Sequence, residues 1–177
     1  MTPYQKHKAQ WKDCSRCSLG SQRCKVVLAS GKIPCDILFI GEAPGISEDT
    51  IGKPFVGPAG RLLRKMIANG LSPKTRYCLT NLVACYPREA KEQGINEPPD
   101  ECICACRKRL REFVRLCKPR GIVLVGKLAA KHVSGRPMEF VEILHPAAIL
   151  RMDPSQQPLA IRRCILAIQE IEYQISE

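Results

Sequence analysis

Aromatic side chains are scarce in this chain. They make up 5% of its 177 residues, with one tryptophan. A core must then be mostly aliphatic, and each ring is worth asking a purpose of. Histidine occurs three times, so general acids of that type have few candidates. No apolar run approaches the length of a membrane-crossing helix. Residues 1–13 are polar and lack the apolar stretch of a secretory leader. There is no internal repeat and no low-complexity tract. A soluble, intracellular (cytoplasmic, nucleoid-associated) protein is expected, folded as one domain over residues 1–177. The hydrophobic fraction of 45% fits a globular core.

Two things are abundant. Lysine and arginine number 28 against 17 acidic residues, a net charge of +11. Such an excess on a small domain points to a polyanion partner such as nucleic acid. Cysteine occurs eleven times. An odd count without a secretory signal argues against a disulfide framework and for metal or cluster ligation. Cys14 and Cys17 form a C-x2-C knuckle, whose turn aims both sulfurs at one centre. Zinc, iron–sulfur and redox uses share that spacing. Cys24 is a further candidate ligand, or a small packed thiol.

The stretch that organises the chain is Gly41-Glu42-Ala43-Pro44-Gly45, with Glu48 and Asp49 behind it. The apolar run 35–40 before it reads as a buried strand. A Gly/Pro-rich loop follows, through Lys53-Pro54-Phe55-Val56-Gly57, and leads into a helix over 59–69 with Leu62, Leu63, Met66 and Ile67 on one side. The carboxyl edge of a parallel sheet is where such folds bind ligands. A short strand is expected at 26–29, a core strand at 76–80 ending on Asn81, and a polar loop at 88–98. A helix should start at Pro99 and run to about Cys117. Its basic residues, Arg107, Lys108, Arg109, Arg111 and Arg115, read mostly as a solvated face. Residues 121–126 form an apolar strand, 127–133 a short helix, 140–144 a fourth strand ending before His145, and 155–175 a closing helix. The alternation predicts a three-layer α/β/α fold with a central four-stranded parallel sheet.

Three strand ends thus carry Glu42, Asn81 and His145. His7 and His132 read as structural. An asparagine that both donates and accepts, an aromatic ring and a histidine beside a Gly/Pro loop suit a planar heterocycle with a carbonyl/N–H edge. Combined with the basic surface, that suggests a nucleobase flipped from DNA.

The motifs 41–49, 53–57, Thr80-Asn81-Leu82-Val83-x-Cys85 and His145-Pro146-Ala147-x-x-Leu150-Arg151 resemble those of the family 4, iron–sulfur uracil-DNA glycosylases. The likeness runs from Cys14 to Arg151, in the family's order. It implies a DNA-repair enzyme that flips uracil from single- or double-stranded DNA and hydrolyses its N-glycosidic bond, leaving an abasic site. It also implies roles. Phe55 stacks on uracil, Asn81 reads its polar edge, and Gly41, Glu42 and Ala43 line the pocket. Glu42 is the candidate for positioning water. Glu48 stands where bulk would exclude thymine's methyl group. His145 donates to uracil O2, and Leu150 and Arg151 probe the minor groove. Family 1 relatives carry an aspartate where this chain has Ala43, which leaves the water-activating group open.

The resemblance further implies a 4Fe–4S cluster held by four cysteines, of which Cys14, Cys17 and Cys85 match directly. The fourth lies among Cys102, Cys104 and Cys106. The interval from Cys85 favours Cys102. Spacing counted back from Pro119 favours Cys106, which places the extra residues in the loop and is the ligand expected here. A related branch bonds covalently to the abasic site through a histidine in an insertion after the second motif; residues 88–96 contain none, so a monofunctional enzyme is expected, acting as a monomer. The alternatives are a glycosylase for a wider set of deaminated bases, a non-catalytic DNA-binding module on the same fold, and a bare zinc-knuckle protein.

Overall fold

The computed structural model describes residues 1–95, 97–133 and 138–176. Asn96, the last residue of the histidine-free segment, lies outside them. Helix α1 (Pro3–Trp11) opens the chain, its first turn closed by Thr2 and Gln5, each side chain bonding the other's backbone. A single turn, α2 (Leu19–Gln22), follows. Strands β1 (Ser30–Gly31) and β2 (Ile37–Gly41) lead to α3 (Ile46–Ile51) and α4 (Pro58–Gly70). Then come β3 (Tyr77–Asn81), α5 (Arg88–Glu92), α6 (Asp100–Cys117), β4 (Gly121–Val125), α7 (Lys127–His132), β5 (Glu139–Ile143), α8 (Pro146–Leu150) and α9 (Gln157–Gln174).

The sheet order is β1-β3-β2-β4-β5, with β3, β2, β4 and β5 mutually parallel. The expected four-stranded parallel sheet is therefore present, with one addition. A two-residue antiparallel edge, Ser30 opposite Leu79, makes a fifth strand. It lies just past the expected 26–29 strand, whose Val27 is instead fully buried and donates its N–H to the Ala84 carbonyl at 2.7 Å.

Both faces of the sheet are covered, which is why β2 and β4 are apolar at every position. Ile37, Phe39, Val123 and Val125 pack on one side with Leu63, Ile67, Ile168 and Ile171 of α4 and α9. Leu38, Ile40, Ile122 and Leu124 pack on the other with Ile103, Leu110 and Phe113 of α6. Helix α1 lies on α6: His7 is buried among Tyr4, Trp11 and Phe113, and the Trp11 Nε1–H donates to Glu112 at 2.9 Å.

Three expectations need correction. The long loop after β2 contains a turn of helix, α3, because Glu48 and Asp49 fall in its first turn, where backbone N–H groups are unpaired. The polar stretch after residue 87 begins as helix α5 for the same reason, with Glu89 in its first turn. The solvated face assigned to α6 fails at Arg109, which is 1% exposed. No helix among the described residues is long and apolar enough to cross a membrane.

Candidate active site

Register places the site. Gly41 is paired with Asn81 across β2 and β3, so the two strands end level. The Leu82 and Val83 N–H groups then donate to the Gly41 and Glu42 carbonyls at 2.9 and 3.2 Å, carrying the pairing past the strand ends. Gly41 cannot be replaced without displacement. A Cβ there would stand 2.5 Å from both the Asn81 Oδ1 and the Phe55 Cζ. Asn81 and Phe55 thus close together over bare backbone, 2% and 6% exposed.

Phe55 is held in an unfavourable conformation, φ 56°, in the left-handed region that bulky residues avoid. Several groups hold it. One Glu48 carboxylate oxygen accepts from the Val56 and Gly57 N–H groups at 2.7 Å each, and the other from Gly45 at 3.0 Å. Arg64 of α4 donates to the carbonyls of Phe55 and Pro54 at 3.2 and 3.4 Å. Gly60 lets the helix pass directly beneath, since a Cβ there would fall 2.1 Å from the Phe55 carbonyl carbon. A strained residue so heavily held marks a position where the ring's direction matters. The contacts of Glu48 are with this loop; it does not line the adjoining cleft.

That cleft has a volume of about 280 Å³ and is lined by Glu42, His145, Lys91, Glu97, Gly126 and Arg151, among others. The carboxylate and the imidazole meet over Gly126, where a Cβ would stand 2.7 Å from the Glu42 Oε1 and 3.1 Å from the His145 Cβ. His145 caps α8: its Nδ1 accepts the Ala147 N–H at 3.2 Å. In the neutral ring the proton is therefore on Nε2. Burial, with the charges of Arg151 and Lys91 added, pushes its pKa down to about 4. Burial, and then Glu97, raises the pKa of Glu42, against the opposing pull of Lys91 and Arg151. At neutral pH the site offers a neutral N–H donor and a carboxylate that parts late with its proton. Leu150, 43% exposed, and Arg151 stand at the end of α8 beside the opening.

Of the candidates, Glu42, His145 and Arg151 line the cleft. Gly41, Asn81 and Phe55 form a separate tight group, Ala43 and Glu48 belong to the loop, and Leu150 is at the end of α8. A larger cavity of about 540 Å³ lies between α6, α7 and the start of β5, lined by Arg107, Arg111, Arg115 and Phe140 among others. It contains none of the strand-end residues, so size is a poor guide here.

Cys14, Cys17, Cys85 and Cys106 line one narrow cavity together with Trp11 and Arg109. Cys102 is buried and sits 3.4 Å from the Ser18 hydroxyl, outside that lining, while Cys104 is exposed beside Arg107. Cys24 is exposed near Arg88. Among the described residues no three His, Cys, Asp or Glu side chains gather closely enough for a single metal ion. Four thiols around one cavity are a donor set of the kind that could hold a sulfur-bridged centre.

Sequence reasoning missed Gly126, Lys91, Arg64 and Arg109. Gly126 follows β4 at the same sheet edge, so the rule that singled out Glu42 and Asn81 also reaches it. Arg109 continues the spacing 102, 106, 109, 113, 117 along the buried stripe of α6. That periodicity was the signal; its charge disguised it.

A model described as "Uracil DNA glycosylase superfamily" matches residues 29–169. The type-4 uracil-DNA glycosylase of Pyrobaculum aerophilum is 30% identical over 163 residues, 79% of this chain and 81% of that protein. The one from Thermotoga maritima is 28% identical over 172 residues, covering 88% and 85%. The one from Sulfurisphaera tokodaii is 34% identical over 134 residues, 75% of this chain but 59% of that longer protein. With its strand ends, its loop and most of its length inside these matches, the chain belongs to the uracil-DNA glycosylase superfamily and, within it, to the type-4 family.

Proposed function

We propose that this protein is a monofunctional DNA-repair glycosylase, which flips uracil out of DNA and hydrolyses its N-glycosidic bond, leaving an abasic site. The observation that carries the reading is the meeting of Glu42 and His145 over Gly126, with Glu42 next in sequence to Gly41, on which Asn81 and Phe55 pack.

The chemistry follows from charge. As the glycosidic bond stretches, the sugar gains positive character and the base negative. His145, neutral and with Nε2–H free to donate, stabilises the developing charge on uracil O2; a preorganised donor of this kind is worth about 10²–10³ in rate. Glu42, ionised above its raised pKa, positions water and balances the sugar's charge. Asn81 presents a donor and an acceptor to uracil's edge, a pattern that cytosine inverts. Phe55 stacks on the base. Glu48 acts from behind, by fixing the loop that aims that ring and narrows the space near C5. Leu150 enters the gap left by the flipped nucleotide, and Arg151, Lys91 and Lys127 meet phosphate. Cys14, Cys17, Cys85 and Cys106 would hold a 4Fe–4S cluster. When bound it supplies a covalent tie between the N-terminal segment and α6, remote from the reacting atoms. A monomer in an intracellular, DNA-bound setting completes the reading.

The test is direct. Iron-replete protein is incubated with single- and double-stranded oligonucleotides bearing one uracil, then treated with alkali. A shortened strand and free uracil are expected from both. Binding to uracil DNA without base release would instead make the chain a non-catalytic binding module. Release of hypoxanthine at a comparable rate would widen the substrate range.

A further inference from the structure

Arg109 is among the largest fully buried side chains of the molecule. Its Nη1 donates to the Thr80 hydroxyl at 3.1 Å, and its Nη2 to the carbonyls of Asn81 and Leu82 at 2.6 and 2.8 Å. Those are the last two residues of β3 and the first beyond it. The Leu82 and Val83 N–H groups in turn donate to the Gly41 and Glu42 carbonyls. One guanidinium thus supports the end of β3, and through it the end of β2.

Neutral oxygens satisfy these donors but not the charge. Among the described residues no carboxylate pairs with Arg109. Its Nε is buried with no hydrogen-bond partner among them. A buried guanidinium without a counter-ion is costly to keep, and its charge is felt nearby: it adds to burial in lowering the pKa of His7, and it opposes the burial that pushes the Tyr4 hydroxyl up to about 12. Glu112, one turn on, is engaged by Trp11. Among the residues lining its cavity, the ones that could be anionic are cysteines. Arg109 lines the same cavity as Cys14, Cys17, Cys85 and Cys106, and Cys106 lies one helical turn before it. Thiols that take up iron do so as thiolates.

We propose that Arg109 is a positioning residue joining the thiol cavity to the base-reading end of β3, its charge balanced by the thiolates of a bound cluster and its two Nη groups fixing Thr80, Asn81 and Leu82. The proposal rests on the cofactor reading above. It assigns the cluster an effect on the pocket through one side chain, with no electron transferred and no contact with the substrate. Loss of the cluster leaves Arg109 uncompensated in the core, and the carbonyls it holds loosen with it.

The experiment compares the purified, iron-loaded chain with Arg109→Met and Arg109→Lys. Three quantities are read: the rate of iron loss to a chelator, followed by visible absorbance; amide hydrogen exchange at Leu82 and Val83; and kcat and KM on uracil DNA. In Arg109→Met, iron loss and exchange at both amides should each speed up by about tenfold or more, as expected when bonds from a charged donor vanish. The kcat should fall while KM for DNA holds. In Arg109→Lys the charge remains without the fork, so iron retention should stay near wild type while exchange at Leu82 and Val83 still rises. Removing iron from the wild type should raise exchange at the same two amides and leave Leu38–Ile40 slow. Iron absent from the wild-type chain would overturn the cofactor reading, and it is visible before any variant is made. In a loaded protein, an Arg109→Met variant with wild-type iron loss and wild-type exchange overturns the role of Arg109 itself. If that variant fails to fold, Arg109→Lys decides alone: unchanged exchange at Leu82 and Val83 overturns the positioning role.

Discussion

His145 and Glu42 are displaced in opposite directions from their ordinary behaviour, and both displacements begin with burial. His145, lowered from 6.5 to about 4, is largely neutral above pH 5. Its protonation should therefore contribute little to any fall in activity between pH 7 and 5. In the proposed reaction Glu42 acts ionised, and its raised pKa moves the acid limb of kcat/KM upward from that of an ordinary glutamate. A profile measured from pH 4 to 8 should show that limb, its position set first by burial, then by Glu97, with Lys91 and Arg151 opposing both. In Glu42→Gln the residual rate should lose it. The stability linkage of His145 has the opposite origin. Its folded pKa is depressed, so the unfolded ring takes up protons first, and the group costs stability as pH falls from 6.5 towards 4. His145→Ala should lower kcat by about 10²–10³ with uracil DNA binding retained. A near-normal kcat would remove His145 from the reaction.

Among the elements, the loop between β2 and α4 and the helix α6 bear most on the site. Glu48 gathers three backbone N–H groups, which would be left partly unpaired in Glu48→Ala. Thermal unfolding should show a loss of about 2–3 kcal/mol, since bonds to a charged acceptor are worth more than neutral ones. The kcat should fall as well, because Phe55 loses what holds it at positive φ. On α6, Cys106→Ser should lose iron, whereas Cys102→Ser and Cys104→Ser should keep it; iron near four per chain in Cys106→Ser would show that another sulfur is the ligand. Much at this scale was legible in advance. β2 and β4 stood out as apolar runs, and the strand ends named Glu42, Asn81 and His145 because a parallel sheet delivers its residues to one edge. What escaped was set by tertiary contact. Helix α3 is too short to show periodicity, Phe55's backbone is fixed by Glu48 and Arg64 from elsewhere in the chain, and Arg109 lies on a face its polarity argues against.

For the molecule as a whole, the +11 charge should govern association with DNA. The logarithm of the binding constant should fall linearly with that of salt concentration, with a slope near −0.9 for each duplex phosphate neutralised. Lys91→Ala and Arg151→Ala should each make the slope shallower by about one. A slope that does not respond would place the DNA elsewhere on the surface. The packing of α1 against α6 has a further consequence, in the order of synthesis. Residues 3–11 are made well before residues 100–117, and until α6 exists Trp11 has no Glu112 to bond and His7 no Phe113 to lie against. The earlier helix must wait for the later one. Cys14 and Cys17 wait with it, since Cys106 arrives on that same partner. Insertion of the proposed cluster would thus be a late step, and a ribosome stalled before residue 106 would carry exposed thiols and no finished cavity.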